Sequence, residues 1–203
     1  MAYYVRVLGT RDPDVQVDEL LNALAGEGLK AQFELLQTET PSSWTVLNIL
    51  NEQRIPLAQL ERSAVVDGEI GQKELDEFRE FINDYRPVSA VSWLQTFFDT
   101  VKVIYAFRIL NAAFDDDNFE IINCLKQKLW NVTNGIIQAD GEGFTNEFGY
   151  HILWQFDDDV TGEWSCAVRN AEGGWTSFVM ELGNTRQRKE FMDGKVPYLA
   201  RLV

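Results

Sequence analysis

The chain has 203 residues, 45% hydrophobic and 12% aromatic, which is enough apolar surface to fill the core of one large domain or two small ones. Its 32 acidic side chains outnumber 18 basic ones, giving a formal net charge of -14. A field of that sign repels phosphate backbones, so no nucleic-acid partner is expected. It also steers the chain toward basic partners.

No segment approaches the roughly 18 unbroken apolar residues of a membrane span, so no membrane association is expected. The opening stretch MAYYVRVLGTRDPDV has no basic leader followed by an apolar run, and a cytoplasmic location follows as the expectation. Cys124 and Cys166 stand apart, outside any CxxC spacing, and read as reduced core residues.

Residues 2–9 alternate Tyr3, Val5 and Val7 against Tyr4, Arg6 and Leu8, the period of a strand. Asp12 and Pro13 form a helix-start signal, and Val17, Leu20, Leu21 and Leu24 make one apolar face until Gly26 and Gly28. Residues 30–38 read as a second strand. Residues 44–50 and 55–65 read as a hairpin turning at Asn51-Glu52-Gln53, with Pro56 restricted to an edge or a strand start. A helix follows with Leu75, Phe78, Ile82 and Tyr85 on one face and Lys73, Glu74, Glu77 and Glu80 on the other. Pro87 ends it, and Ser89 is placed to cap another helix carrying Trp93, Leu94, Phe97 and Phe98.

Residues 102–110 alternate again as a strand. Asp115, Asp116 and Asp117 then precede a helix striped by Ile122, Leu125, Leu129 and Val132, where carboxylates suit the positive helix end. Strands are expected at 135–139, 150–156, 163–169 and 175–182, and Asn184 is placed to cap a last helix through Phe191.

Both passes run strand, helix, strand, hairpin, helix, and WTVLNILNE from Trp44 parallels WSCAVRNAE from Trp164. The pattern points to an internal duplication. The expected class is therefore α+β, with two similar halves, residues 1–100 and 101–203, each a mainly antiparallel sheet covered by helices. An inserted strand pair near 135–159 distinguishes the second half. The first half carries 17 acidic and 8 basic residues, the second 15 and 10.

The stretch from Gly135 to Asp159 concentrates the chemistry. It holds the single histidine of the chain, His151, so a nucleophilic triad has one candidate base and neither a GxSxG elbow nor a reactive-cysteine signature beside it. As a strand residue opposite Tyr150, Ile152, Trp154 and Phe156, His151 is expected to be exposed or to line a groove. Asp157-x-Asp159-x-Thr161-Gly162 begins like a calcium loop, but Val168 stands where a bidentate glutamate is needed. No metal or other cofactor is expected. Asp140 and Glu142 would share one face of an extended chain, as a carboxylate pair for acid–base work on a glycoside requires. Tyr150, Trp154 and Trp164 would supply a stacking surface. The catalytic candidates are thus Asp140, Glu142 and His151, and the binding candidates Glu147, Tyr150 and Trp154.

Two functions compete on these grounds. One is an acidic cytoplasmic protein-interaction module that binds a basic protein, inhibiting it as immunity-type proteins do. The other is an enzyme acting on a small molecule or carbohydrate through the carboxylate pair. A homodimer, paired through the strand at 175–182 with Phe178, Met180 and Leu182, is a further candidate assembly.

Overall fold

A computed structural model describes residues 3–203, apart from the side chain of Asp116. Ala2, assigned above to the first strand, and the Asp116 carboxylate, assigned to a helix end, lie outside the described residues. The chain is α+β, with a large antiparallel sheet and five α-helices among the described residues. It divides into two compact units, residues 1–73 with 101–135, and residues 74–100 with 136–203.

The first unit holds β1 (Tyr3–Gly9), α1 (Val17–Gly26), β2 (Gln32–Leu35), β3 (Val46–Leu50) and β4 (Pro56–Ala64). The next helix, α2 (Ile70–Phe81), starts at the end of this segment, and α3 (Val88–Phe98) follows it. Then β5 (Val103–Ile109) and α4 (Asp116–Thr133) complete the first unit. Its strands pair antiparallel in the order β2, β3, β4, β5, β1. The registers Val5 to Phe107, Val7 to Tyr105, Leu60 to Phe107 and Leu47 to Leu60 line these side chains up on one face. That face is apolar because alternate residues of every strand are, and burying it is the main stabilising term of the unit. The other face carries Arg6, Gln59, Glu61 and Arg108. Against the strands β1 and β4 packs α4, which also packs on α1, with Leu20, Leu24, Leu125 and Leu129 fully buried.

Helix α1 begins after Gln16, one turn beyond the start signal at Asp12 and Pro13. Asp12 is engaged elsewhere, in an ion pair with Arg62 at 2.6 Å. Likewise the N-cap position of α3 is Pro87, with no side-chain cap bond, and Ser89 lies inside the helix.

The second unit contains most of α2, α3, β6 (Ile136–Ala139), β7 (Gly143–Phe144), β8 (Glu163–Arg169), β9 (Trp175–Glu181), α5 (Thr185–Met192) and β10 (Arg201–Leu202). Three strands form a sheet in the order β10, β9, β8. On one face Cys166 lies opposite Phe178 and Trp164 opposite Met180. Trp154, Val168, Leu182 and Phe191 of α5 complete that core. Asn184 caps α5 as its sequence position predicts, accepting from the backbone N–H groups of Arg186 and Gln187 at 3.1 Å.

One expectation is corrected here. Strand β9 is the middle strand of its sheet, with Phe178, Met180 and Leu182 buried, so it offers no edge for pairing with a second copy. The sheet of β10, β9 and β8 has only three strands, so the sheets lend the expected duplication no support.

Gly9 ends β1 where a Cβ would sit 2.5 Å from Thr133 Cβ and 2.9 Å from Val103 Cγ1. Both neighbours belong to packed elements, α4 and β5. Gly9→Ala is expected to destabilise the protein by about 1–3 kcal/mol through overpacking. The measurement is the urea midpoint, which falls at an unchanged slope; an unshifted midpoint would show that Thr133 moves aside freely.

Candidate functional site

The stretch from Gly135 to Asp159 lies almost wholly in the second unit, and its geometry differs from the strand pair expected there. Residues 136–139 and 143–144 form a short hairpin, with Gln138 opposite Phe144 and Ala139 opposite Gly143. Asp140, Gly141 and Glu142 are its turn. The Glu142 N–H donates to the Ala139 carbonyl at 3.2 Å, and Gly141 takes the positive φ, +73°, that a turn of this kind needs at its third position. Asp140 and Glu142 therefore occupy the two sides of a β-turn. The alternation that would put their side chains on one face belongs to an extended chain, which this is not.

The expected strand at 150–156 is irregular. Its backbone groups find partners one by one on different elements. The His151 N–H donates to the Ser165 carbonyl at 2.9 Å and the Ile152 N–H to that of Phe144 at 2.9 Å. The Trp154 N–H reaches the Arg86 carbonyl at 2.9 Å, and the Gln155 N–H that of Glu142 at 3.2 Å. A ladder needs consecutive bonds to one neighbour, whereas this segment is stitched to three in turn. The apolar residues that suggested a strand, Ile152, Leu153 and Trp154, are buried without forming one.

His151 is 4% exposed, so it neither faces solvent nor lines a groove. Its ring packs against Phe156, with centroids 4.8 Å apart, and edge-on to Trp164 at 6.4 Å. Gly143 leaves room for it: a Cβ there would stand 3.3 Å from the imidazole Cε1 and 2.3 Å from the Leu153 carbonyl oxygen. Nε2 of His151 has no hydrogen-bond partner, and the same holds for Nδ2 of Asn146 and Nε2 of Gln155. Burial pushes the histidine down from 6.5 to about 4, against the opposing pull of the Leu153 and Glu142 backbone carbonyls. A base so reluctant to take a proton is poorly suited to acid–base work near neutral pH. Cys166, across the isolated bridge to His151, is equally inert: burial pushes its thiol up to about 12.

The remaining predicted residues scatter. Trp154 is a core residue; its indole N–H donates to the Phe156 carbonyl at 3.1 Å, and the Arg188 guanidinium lies 4.7 Å from its ring centroid. Arg188 is itself buried, donating to the Leu182 and Asp158 carbonyls at 3.0 Å and pairing with the Asp158 carboxylate at 3.3 Å. Glu147 is exposed and accepts from the Trp175 indole at 3.1 Å. Tyr150 is half-buried, its N–H bound to Asn146 Oδ1 at 3.0 Å. Of the proposed stacking surface Trp164 is the most exposed, Tyr150 is half-buried and Trp154 is buried.

A surface that sequence reading passed over lies on α2 and the 3-10 turn after it. Glu77, Glu80 and Asp84 are exposed there, and no ion pair engages them among the described residues. In their midst Phe81 is 53% exposed, its ring 4.9 Å from that of Tyr85. The signal was present: Phe81 falls four residues after Glu77 and three before Asp84, on the polar side of the stripe formed by Leu75, Phe78 and Ile82.

Comparison with known protein families, curated proteins and solved structures finds no match.

The histidine carries a pH signature. The unfolded chain binds a proton at His151 below about pH 6.5, while the native chain resists it until about pH 4, so stability falls as pH drops through that interval. The loss approaches about 3 kcal/mol at the acid end. Denaturant midpoints of the wild type and of His151→Leu, compared between pH 7 and pH 4, should show a steeper decline in the wild type; parallel curves would mean that the ring is protonated in the native state.

Proposed function

We propose that this chain is an acidic protein-interaction module of the cytoplasm that binds a basic protein and holds it in an inhibitory complex, as immunity-type proteins do. The observation that carries the reading is the pairing of charge with an apolar anchor on α2. Glu77, Glu80 and Asp84 are exposed within four residues of Phe81, whose ring is half-exposed and lies 4.9 Å from that of Tyr85. Carboxylates free of intramolecular ion pairs raise the encounter rate with a cationic surface and select against anionic ones. An aromatic ring at the centre of such a patch supplies the desolvated contact from which most binding energy comes. The net charge of -14 extends the same field over the rest of the chain.

No helix among the described residues is long and apolar enough to cross a membrane. Catalysis by Asp140 and Glu142 gains no support from the turn they occupy.

The test is capture from the native lysate on immobilised protein, with partners identified by mass spectrometry. Wild-type protein is expected to retain a basic protein at low salt and release it as ionic strength rises, since screening shortens the reach of exposed charges to about 10 Å at 0.1 M. Phe81→Ala, and separately Glu77→Lys with Glu80→Lys, should each weaken retention about tenfold or more. Repeated captures without a salt-sensitive basic protein, or equal retention by the variants, would sink the reading.

A further inference from the structure

The second unit contains a feature that runs against the charge of the chain. A cavity of about 640 Å³ opens between the segment before α3, the end of β8 and the last turns of α5. Its lining includes Arg86, Ser89, Arg169 and Lys189, with Asp193 as the one carboxylate. We propose that this cavity binds the phosphoryl group of a small molecule.

The cations are not committed to other anions in the way surface cations usually are. Among the described residues no carboxylate pairs with Arg86 or Arg169. Arg86 spends one nitrogen on the neighbouring Tyr85 carbonyl, at 3.1 Å, and keeps its remaining donors. The Arg169 guanidinium stacks over Trp175, 5.0 Å from the ring centroid, an arrangement that orients the plane while leaving its N–H edge open. Lys189 is the exception, bound to Asp193 at 2.8 Å; but Lys195 approaches the same carboxylate at 3.9 Å and offers it a second cation. Two arginines presenting planar forks are the side chains best matched to phosphate oxygens. Ser89 adds a hydroxyl donor, and the first turn of α3 beside it contains no acidic residue.

The long-range repulsion from a chain of net charge -14 does not forbid this. At physiological salt that field decays over about 8 Å, so an anion within the cavity is governed by the cations that touch it. The volume lies within the roughly 300–1,000 Å³ of small-molecule pockets and exceeds what phosphate alone would fill. Pro87 and Met192 line the remainder and would face the organic part of the ligand. This inference concerns different residues from the acidic face of α2 and stands or falls separately.

The experiment titrates the full chain with inorganic phosphate, then pyrophosphate, at low salt. Tryptophan fluorescence reports on Trp175 beneath Arg169, and amide NMR shifts locate the response. Saturable binding is expected, with shifts centred on residues 86–89 and 189–194. Arg86→Gln and Lys189→Gln alter exposed side chains without touching the core, and each should weaken binding about tenfold, as Arg169→Gln should; Arg201→Gln, outside the cavity, should leave it unchanged. Failure to saturate, shifts elsewhere on the chain, or equal affinity in the Arg86 and Lys189 variants would overturn the proposal and mean an adventitious ion only.

Discussion

Burying a backbone obliges every N–H and C=O to find a partner, and in the second unit that demand shapes the stretch from Tyr150 to Phe156. The segment is too apolar to stay in solvent, with Ile152, Leu153 and Trp154 buried, yet it does not run beside any one strand long enough to form a ladder. It meets the requirement by drawing on Ser165, Phe144, Arg86 and Glu142 in turn. Together those bonds fix three elements. The hairpin at 136–144, the segment before α3 and strand β8 are held in register by a piece of chain with no regular structure of its own.

The side chains of the same region show what this arrangement costs. His151, Asn146 and Gln155 each keep a buried nitrogen without a partner, and each forfeits hydration that the unfolded chain retains. Packing offsets the loss: the His151 ring sits against Phe156 and Trp164, and Trp154 lies between Phe156 and Phe191. Arg188 shows the opposite solution, a buried charge whose guanidinium is satisfied by two carbonyls, a carboxylate and an aromatic face. Both arrangements suit a packed interior better than a reaction centre.

How much of this could be read beforehand depended on the range of the interactions involved. Strands β1 and β3 to β5 follow from alternation, because one face of their sheet is apolar along every strand. The last helix follows from Asn184, whose cap bonds span two and three residues. Where a residue has a distant partner, local signals mislead. Asp12 resembles a helix cap, but its carboxylate is held by Arg62, fifty positions on. The apolar run at 150–156 has the composition of a strand, and only its tertiary partners make it something else. The shared face of Asp140 and Glu142 presupposes an extended chain, which the hydrogen bond closing the turn at Ala139 prevents. The cavity cations could not have been foreseen, since Arg86, Arg169 and Lys189 meet only through the fold.

Strand β8 is the outer strand of its sheet, and an outer strand is a template on which another chain can crystallise as a further strand. The backbone of His151 takes up the Ser165 carbonyl and the Ala167 N–H, occupying the middle of that edge with a single residue. Glu163 places a charge at one end. The irregular segment thus acts as a stopper. It lets a small sheet end inside the protein without continuing into a neighbour, which is a protection against fibrous self-association for an aromatic-rich unit.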